Sequence, residues 1–441
     1  MEAGFSPLDE ELALSAGQLS SFVLEAVVRL ATWMPFGRAV QEVAWFTGTR
    51  VSETTARRLT EAAGATYAAG QTAEAAALER ETPPAPPGPA VQALSVDGAM
   101  VPLVGGAWAE VKTLALGTVT LRPAGSRRRP RQEVEITDLS YFSRMTDHET
   151  FIRLALVETH RRGTETAGTV CAVCEGAAWI PGFIDHHRPD AVRILDWPHA
   201  VGYVAAVATA VYGADTPAAT TWLGQQKATL LHGDPAILLA DLAQLHTTVA
   251  AVADGHQERW AWTVAATRAT DPPLRGVLGR EAAQRAAPVV AHGLEYLRSR
   301  AAQIQYAAFR VALYPLGSGS VESANKLLIE SRLKGAGMRW APAHVTPMAA
   351  LRTVAANDRW AEAWPLILRA QRHARQDRAL QRRTARRIAR ACRAAEQAGP
   401  AETTTTPTPR PPALAPARTR SSTPAPDHPW RHATLSHRRS A

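Results

Sequence analysis

At 441 residues, with 46% hydrophobic residues, the chain is too long for one ordinary domain and apolar enough for a sizeable core. Its formal charge of +9 and pI near 9.9 favour a polyanionic partner, nucleic acid first among them. Three cysteines (Cys171, Cys174 and Cys392) are too few for a disulfide framework, and the start MEAGFSPLDEE lacks the basic-then-apolar pattern of a signal peptide. The longest apolar run, residues 201–214, falls short of the ~20 residues that span a bilayer. A cytoplasmic protein without a membrane partner is expected.

Residues 1–80 are helical in pattern, with a helix-turn-helix expected over about 37–64. An amphipathic segment from Arg38 to Phe46 runs into Thr47-Gly48, and Ser52 is placed to cap a second helix from Glu53 to Ala63. Two such helices around a Gly-containing turn favour DNA reading, with Thr54, Arg57 and Arg58 on the recognition helix, over the alternative of a plain packed pair. Residues 81–90, with TPPAPPGP in context, predict a stiff linker and a domain boundary.

From residue 91 the period changes to that of strands. VQALSVDGAMVPLV, WAEVKTLALGTVTL and EVEITDLSYFS predict an antiparallel meander, followed by a helix from Glu149 to Arg161. TVCAVCEG then reads as a buried strand, AAWIPGFIDHH as a crossover helix and AVRILD as another buried strand. That order predicts an α/β class, a ribonuclease-H-like mixed sheet preceded by the small all-α domain. Residues 200–316 read as helix, with Trp222, Trp260 and Trp262 scattered through them and no clear strand pattern. An Arg-rich helix is expected over 361–398, and a disordered tail over 399–441, whose Pro/Thr-rich composition buries too little apolar surface to fold.

Four acids stand out. Asp97 interrupts an apolar strand before Gly98 and is expected to project alone from the sheet face, as a metal ligand or as a strand-end turn residue. Glu175 and Asp196 each follow a predicted strand, where open sheets place ligands, and each also suits a helix cap. Asp196 and His199 form a D-x-x-H pair that suits orienting a carboxylate, ligating a metal or packing in the core. Glu322 falls in the first turn of a helix capped by Ser320, where the positive helix end alone favours a carboxylate. Yet Asn325 and Lys326 share its face, and acid, amide and cation together suit a metal-and-phosphate site. Arg332 and Lys334 extend the basic character of that helix toward a DNA backbone.

Weaker signals have plainer readings. Cys171-x-x-Cys174 lacks a second pair, and at that spacing on a strand the thiols face opposite sides, as core residues do. Asp185-His186-His187 reads as a solvated helix end. Trp222 reads as core, or as a stacking platform for a base.

LSVDGAMVPLVGGAWAEVKTLALG, TDLSYFSR, AAWIPGFIDHHRPDAVRILDWPHA and YPLGSGSVESANKLLIESRLKGAGMRW, with NDRW at 357–360, resemble the DDE transposases of bacterial insertion sequences of the Kra type, distant relatives of the Mutator-like transposases. The resemblance covers about residues 35–360, and the G-S-G-x-V-E-S-x-N-K block is its most specific part. It implies a catalytic domain over 91–360 with a helical insertion at about 200–316. It further implies two Mg2+ or Mn2+ ions, double-stranded DNA as partner (terminal inverted repeats and target), self-association on that DNA, and a place at the bacterial nucleoid. The implied reaction is metal-dependent strand cleavage and transfer.

Carried over to this sequence, Asp97 is the first acid, Glu322 the third, and Asp196 with His199 the D-x-x-H signature that follows the second. The second acid departs from the pattern: where relatives have Asp-Gly-Ala, this chain has Glu175-Gly176-Ala177. Glu175 is the positional equivalent, one methylene longer, and Asp196 is the alternative. A ligand displaced by ~1 Å can lower a rate ~100-fold. Two other functions therefore stay open: a transposase-derived DNA-binding protein that no longer cuts, and a two-metal nuclease that cuts without joining.

Overall fold

The computed structural model describes residues 19–126, 129–266 and 272–397, so the expected tail lies outside the described residues. One compact unit ends at Gln376 and a second begins at Asp377. The chain is α/β with a mixed five-stranded sheet. Val91–Pro102 (β1), Trp108–Ser126 (β2) and Arg129–Arg144 (β3) form the expected antiparallel meander. Thr169–Cys174 (β4) lies parallel to β1, and Val192–Leu195 (β5) parallel to β4. The order is β3-β2-β1-β4-β5, with β2 alone antiparallel to the rest.

Period-two alternation decides what each face buries. On β1, Leu94 and Val96 pack with Phe142, Phe151 and Phe183, beneath His148–Arg161 (α4) and the crossover helix Ile180–His187 (α5). Ala99 and Val101 turn to the opposite face, against Val321, Leu328 and Val345. Cys171 and Cys174 bury on opposite faces of β4, as their spacing predicts. Burial pushes both thiols up to about 12.

The region after β5 is largely helical: Trp197–Tyr212 (α6), Pro217–His232 (α7), Pro235–Ala253 (α8), Arg280–Arg298 (α9) and Tyr306–Val311 (α10) enclose a core that includes Leu230, Leu242, Val249 and Val290. It also contains strands the sequence reading did not expect. Arg259–Val264 (β6) and Leu274–Gly279 (β7) form a hairpin in which the Trp262 indole occupies the space a side chain on Gly276 would need. Six residues of alternation are too few to separate a strand from helix by pattern; packing against the helices makes this hairpin. Trp222 is buried beside Tyr212, their rings 5.5 Å apart, which is the core reading. By length and composition α8 is apolar enough to cross a membrane, and its Leu238, Leu242, Leu245 and Val249 belong to this core.

At the N-terminal end, Ser21–Trp33 (α1) and Phe36–Thr47 (α2) precede Glu53–Glu81 (α3). α2 ends on Gly48 at φ 68°, and Ser52 Oγ accepts from the Thr55 amide at 3.2 Å, the expected turn and cap. α3 does not stop at Ala63. Gly64, the next residue, lets α3 approach Pro342–Ala356 (α13) so closely that a Cβ would collide with the Pro347 carbonyl. Nor do these helices stand apart from the sheet unit. Leu24, Val28 and Ala63 share a core with Leu351, Trp360 and Trp364, and the Pro-rich connection is tied down where the Gly88 amide donates to Thr166 Oγ1 at 2.8 Å. The Arg-rich helix, Trp360–Gln397 (α14), is exposed on every face over residues 377–393.

Candidate active site

Register alone brings three acids to one edge. The last β1–β4 pair is Leu94 with Ala172, and the last β4–β5 pair is Cys174 with Leu195. Glu175 and Asp196 therefore stand just past the carboxyl ends of β4 and β5, and Asp97 stands beside them within β1, past its last pair with β4 and still paired with Thr113 of β2.

Glu322 arrives from the helical segment 319–333, built of Gly319–Ala324 (α11), a π-helical turn Asn325–Glu330 and Ser331–Leu333 (α12). A π turn inserts one extra residue and is frequent at functional sites. Here it carries the buried Asn325, whose Nδ2 donates to Asp97 Oδ2 at 2.8 Å. Asp97 thus does not project alone: it shares the face of Ala99, two residues on, and meets this segment.

Ser318, not Ser320, takes the N-cap position of α11, and it serves another acid. Its amide and its hydroxyl donate to Asp196 Oδ1 at 2.7 and 3.0 Å, with Glu322 Oε1 3.5 Å from the same hydroxyl. The second Asp196 oxygen accepts from the His199 amide at 2.9 Å, capping α6. Asp196 is 1% exposed with both oxygens engaged, whereas Glu175 is half-buried, its Oε2 3.9 Å from His199 Nδ1.

The acids share one electrostatic neighbourhood. Burial raises the Asp97 carboxyl above its ordinary range, and the charges of Glu322 and Glu110 add to that, against the Gly98 amide and Asn325, which lower it. Burial also raises Glu175, assisted by Asp97, Asp196 and Glu322 in that order. Crowded, partly dehydrated carboxylates are hard oxygen donors with an excess of negative charge that a divalent cation relieves, which suits Mg2+ or Mn2+. Asn325 Oδ1, buried without a hydrogen-bond partner among the described residues, points to the same polar environment. As the side chains stand, no three His, Cys, Asp or Glu among the described residues are grouped to hold a metal ion.

The residues expected to meet DNA divide. Thr54, Arg57 and Arg58 are exposed on the first turns of α3, and Lys326 and Lys334 are exposed on or just after the acid-bearing segment, Lys334 paired with Glu330 at 3.0 Å. Arg332 is a correction: it is 2% exposed, donates from Nε to the Ala31 carbonyl, and lies 4.8 Å from the Phe36 ring and 5.2 Å from that of Trp340. It holds α1 in place and offers nothing to a DNA backbone. His187 is a second correction. It is buried between Thr159 Oγ1 (3.2 Å) and the Ile152 carbonyl (2.9 Å), while Asp185 pairs at the surface with Arg193.

No protein-family model and no curated protein matches this chain. Function must be argued from the site. Ser318, Glu110 and Tyr296, all tied to these acids, escaped the sequence reading. Ser318 lay inside the G-S-G-S block without a marked role, and Tyr296 sits in a helix far along the chain with no local motif.

Proposed function

We propose that this chain is a DDE-type transposase of a bacterial insertion sequence, related to the Kra type, acting on terminal inverted repeats through a ribonuclease-H-like catalytic core. The observation that carries the reading is the gathering of Asp97, Glu175 and Glu322, with Asp97 level with the end of β4, Glu322 sharing Ser318 with Asp196, and the Glu322 charge reaching both Asp97 and Glu175. The strand order and the single antiparallel strand support the same core. Glu175 is the better second acid, because both Asp196 oxygens are committed to Ser318 and His199.

Asp97, Glu175 and Glu322 would hold the divalent ions. Bound there, two such ions supply Lewis acidity to an in-line displacement at phosphorus. The protein's own groups do the positioning. Asn325 fixes the Asp97 carboxylate, and the Ser318–Asp196 network fixes the turn from which Glu322 projects. Lys326 offers a cation to backbone phosphates. Thr54, Arg57 and Arg58 form the exposed face of a helix-turn-helix that reads the ends in a DNA groove. Self-association on paired ends and a place at the nucleoid follow from the resemblance.

A second reading, a DNA-binding protein that no longer cuts, draws on Glu175 leaning toward His199 and on the lack of three converged donors among the described residues. Nicking of supercoiled plasmid in Mn2+ separates the two. The enzyme reading expects nicking by wild type and none by Asp97→Ala or Glu322→Ala; DNA binding without nicking in all three supports the second.

A further inference from the structure

The acid site has a wall that its carboxylates do not explain. Tyr296, near the end of α9, places its hydroxyl against Gly176, the residue after Glu175, and a Cβ at Gly176 would collide with that oxygen. Glycine there makes room for the hydroxyl. Two contacts fix the Tyr296 ring: Tyr203 stacks on it at 3.8 Å between centroids and 10° between planes, and the Arg300 guanidinium lies 3.8 Å from its centroid. Arg300 also donates to the Gly176 carbonyl at 3.0 Å, tying the helical region to the strand end that bears Glu175.

Despite this anchoring, the Tyr296 hydroxyl is buried with no well-formed hydrogen bond among the described residues. The neighbouring Tyr203 raises its pKa by charge and by a weak side-chain hydrogen bond, but the two stacked tyrosines make no hydrogen bond of good geometry with each other. Folded proteins rarely keep a buried hydroxyl unpaired without a use. Burial, with a contribution from the Glu175 charge, pushes this phenol up to about 12, so it remains a donor at neutral pH. Glu175 itself leans toward His199 at 3.9 Å, and its extra methylene leaves it more freedom than an aspartate would have.

Resting on the reading of Glu175 as second acid, we propose that Tyr296 is a positioning residue. Its hydroxyl donates to the Glu175 carboxylate once Glu175 turns to hold a divalent cation. The helical region between β5 and Glu322 thereby takes part in the site, by fixing the one ligand that departs from the family pattern.

Mn2+ binding to the full chain, followed by the paramagnetic resonance of free Mn2+, tests this without any cleavage assay. The variants are Tyr296→Phe, Glu175→Gln and the double substitution; phenylalanine keeps the ring stack, and circular dichroism verifies folding. The expected result is about 10- to 100-fold weaker binding in Tyr296→Phe, the range for losing a partner that orients a metal ligand. Once Glu175 is glutamine, Tyr296→Phe should add little, because the two act as a unit. Wild-type affinity in Tyr296→Phe, or full multiplication of the two effects, overturns the proposal. If wild type binds no Mn2+, or Glu175→Gln binds as wild type does, the acid-site reading fails first and the proposal with it.

Discussion

Replacing Arg352 by methionine should cost about 3–5 kcal/mol of stability, the sum for three carbonyls losing their donor less the saved dehydration of a cation. Arg352 is 1% exposed in α13, between α1 and the segment that carries Glu322. Nε donates to the Leu328 carbonyl at 2.6 Å, Nη1 to the Thr32 carbonyl at 2.7 Å, and Nη2 to Ser331 Oγ at 2.8 Å and to the Leu327 carbonyl. Burial, with Arg332 nearby, pulls the guanidinium down to about 10, which leaves it charged at neutral pH. Methionine keeps much of the stem volume and removes every donor. Three carbonyls then lose their bonds to it, at about 1–3 kcal/mol for each left unsatisfied, partly offset because no cation need be dehydrated. Urea unfolding followed by circular dichroism gives the loss, and limited proteolysis should find α1 cut earlier than in wild type. A loss under ~1 kcal/mol would mean these bonds contribute little net stability, against the expected range.

Three further outcomes follow from the same structure. Burial, with His186 nearby, holds His187 down at about 3 against an ordinary 6.5. Its contribution is therefore complete above pH 6.5 and is lost as pH falls toward 3, at up to about 1.4 kcal/mol per pH unit. His187→Leu should flatten that limb of a pH series of urea midpoints; an unchanged slope would mean the ring is not buried neutral. Asp97 has the opposite sign, because a carboxyl raised in the folded state loses stability as pH climbs through its folded value. Asp97→Asn should thus melt higher than wild type at pH 7 without divalent ions and lose the upshift that millimolar Mg2+ gives wild type; a lower melting temperature contradicts the crowding argument. Finally, Arg57→Ala should weaken DNA binding and reduce the salt slope by about one if Arg57 contacts a phosphate. An unchanged slope removes Arg57 from the backbone interface.

The five strands of the sheet were legible because alternation and Gly/Pro punctuation are local signals, and the neighbouring positions of Asp97 and Glu175 follow once β1 and β4 pair. What failed depends on partners far along the chain. The helix expected to end at Ala63 runs on past Gly64, whose missing side chain leaves the space that Pro347 needs. Arg332 looks like a DNA contact because charge in a sequence does not say which face of a helix is buried. Alternation itself places Asp97 and Ala99 on one face, so the expectation that Asp97 projects alone missed a signal that was present. Ser318 and Tyr296 acquire meaning only when the chain returns to the strand ends at Asp196 and Gly176.

The most direct test is strand transfer: incubating the protein and Mg2+ with a labelled duplex ending in the element's own terminal repeat, and looking for that 3′ end joined to a target plasmid. The account predicts joined product with wild type and none with Glu322→Ala. Product with Glu175→Asp but not with wild type would mean an intact fold inactivated at its second acid. Cleavage without joining in any variant would point to a nuclease, and tight end binding with neither would contradict the catalytic claim itself.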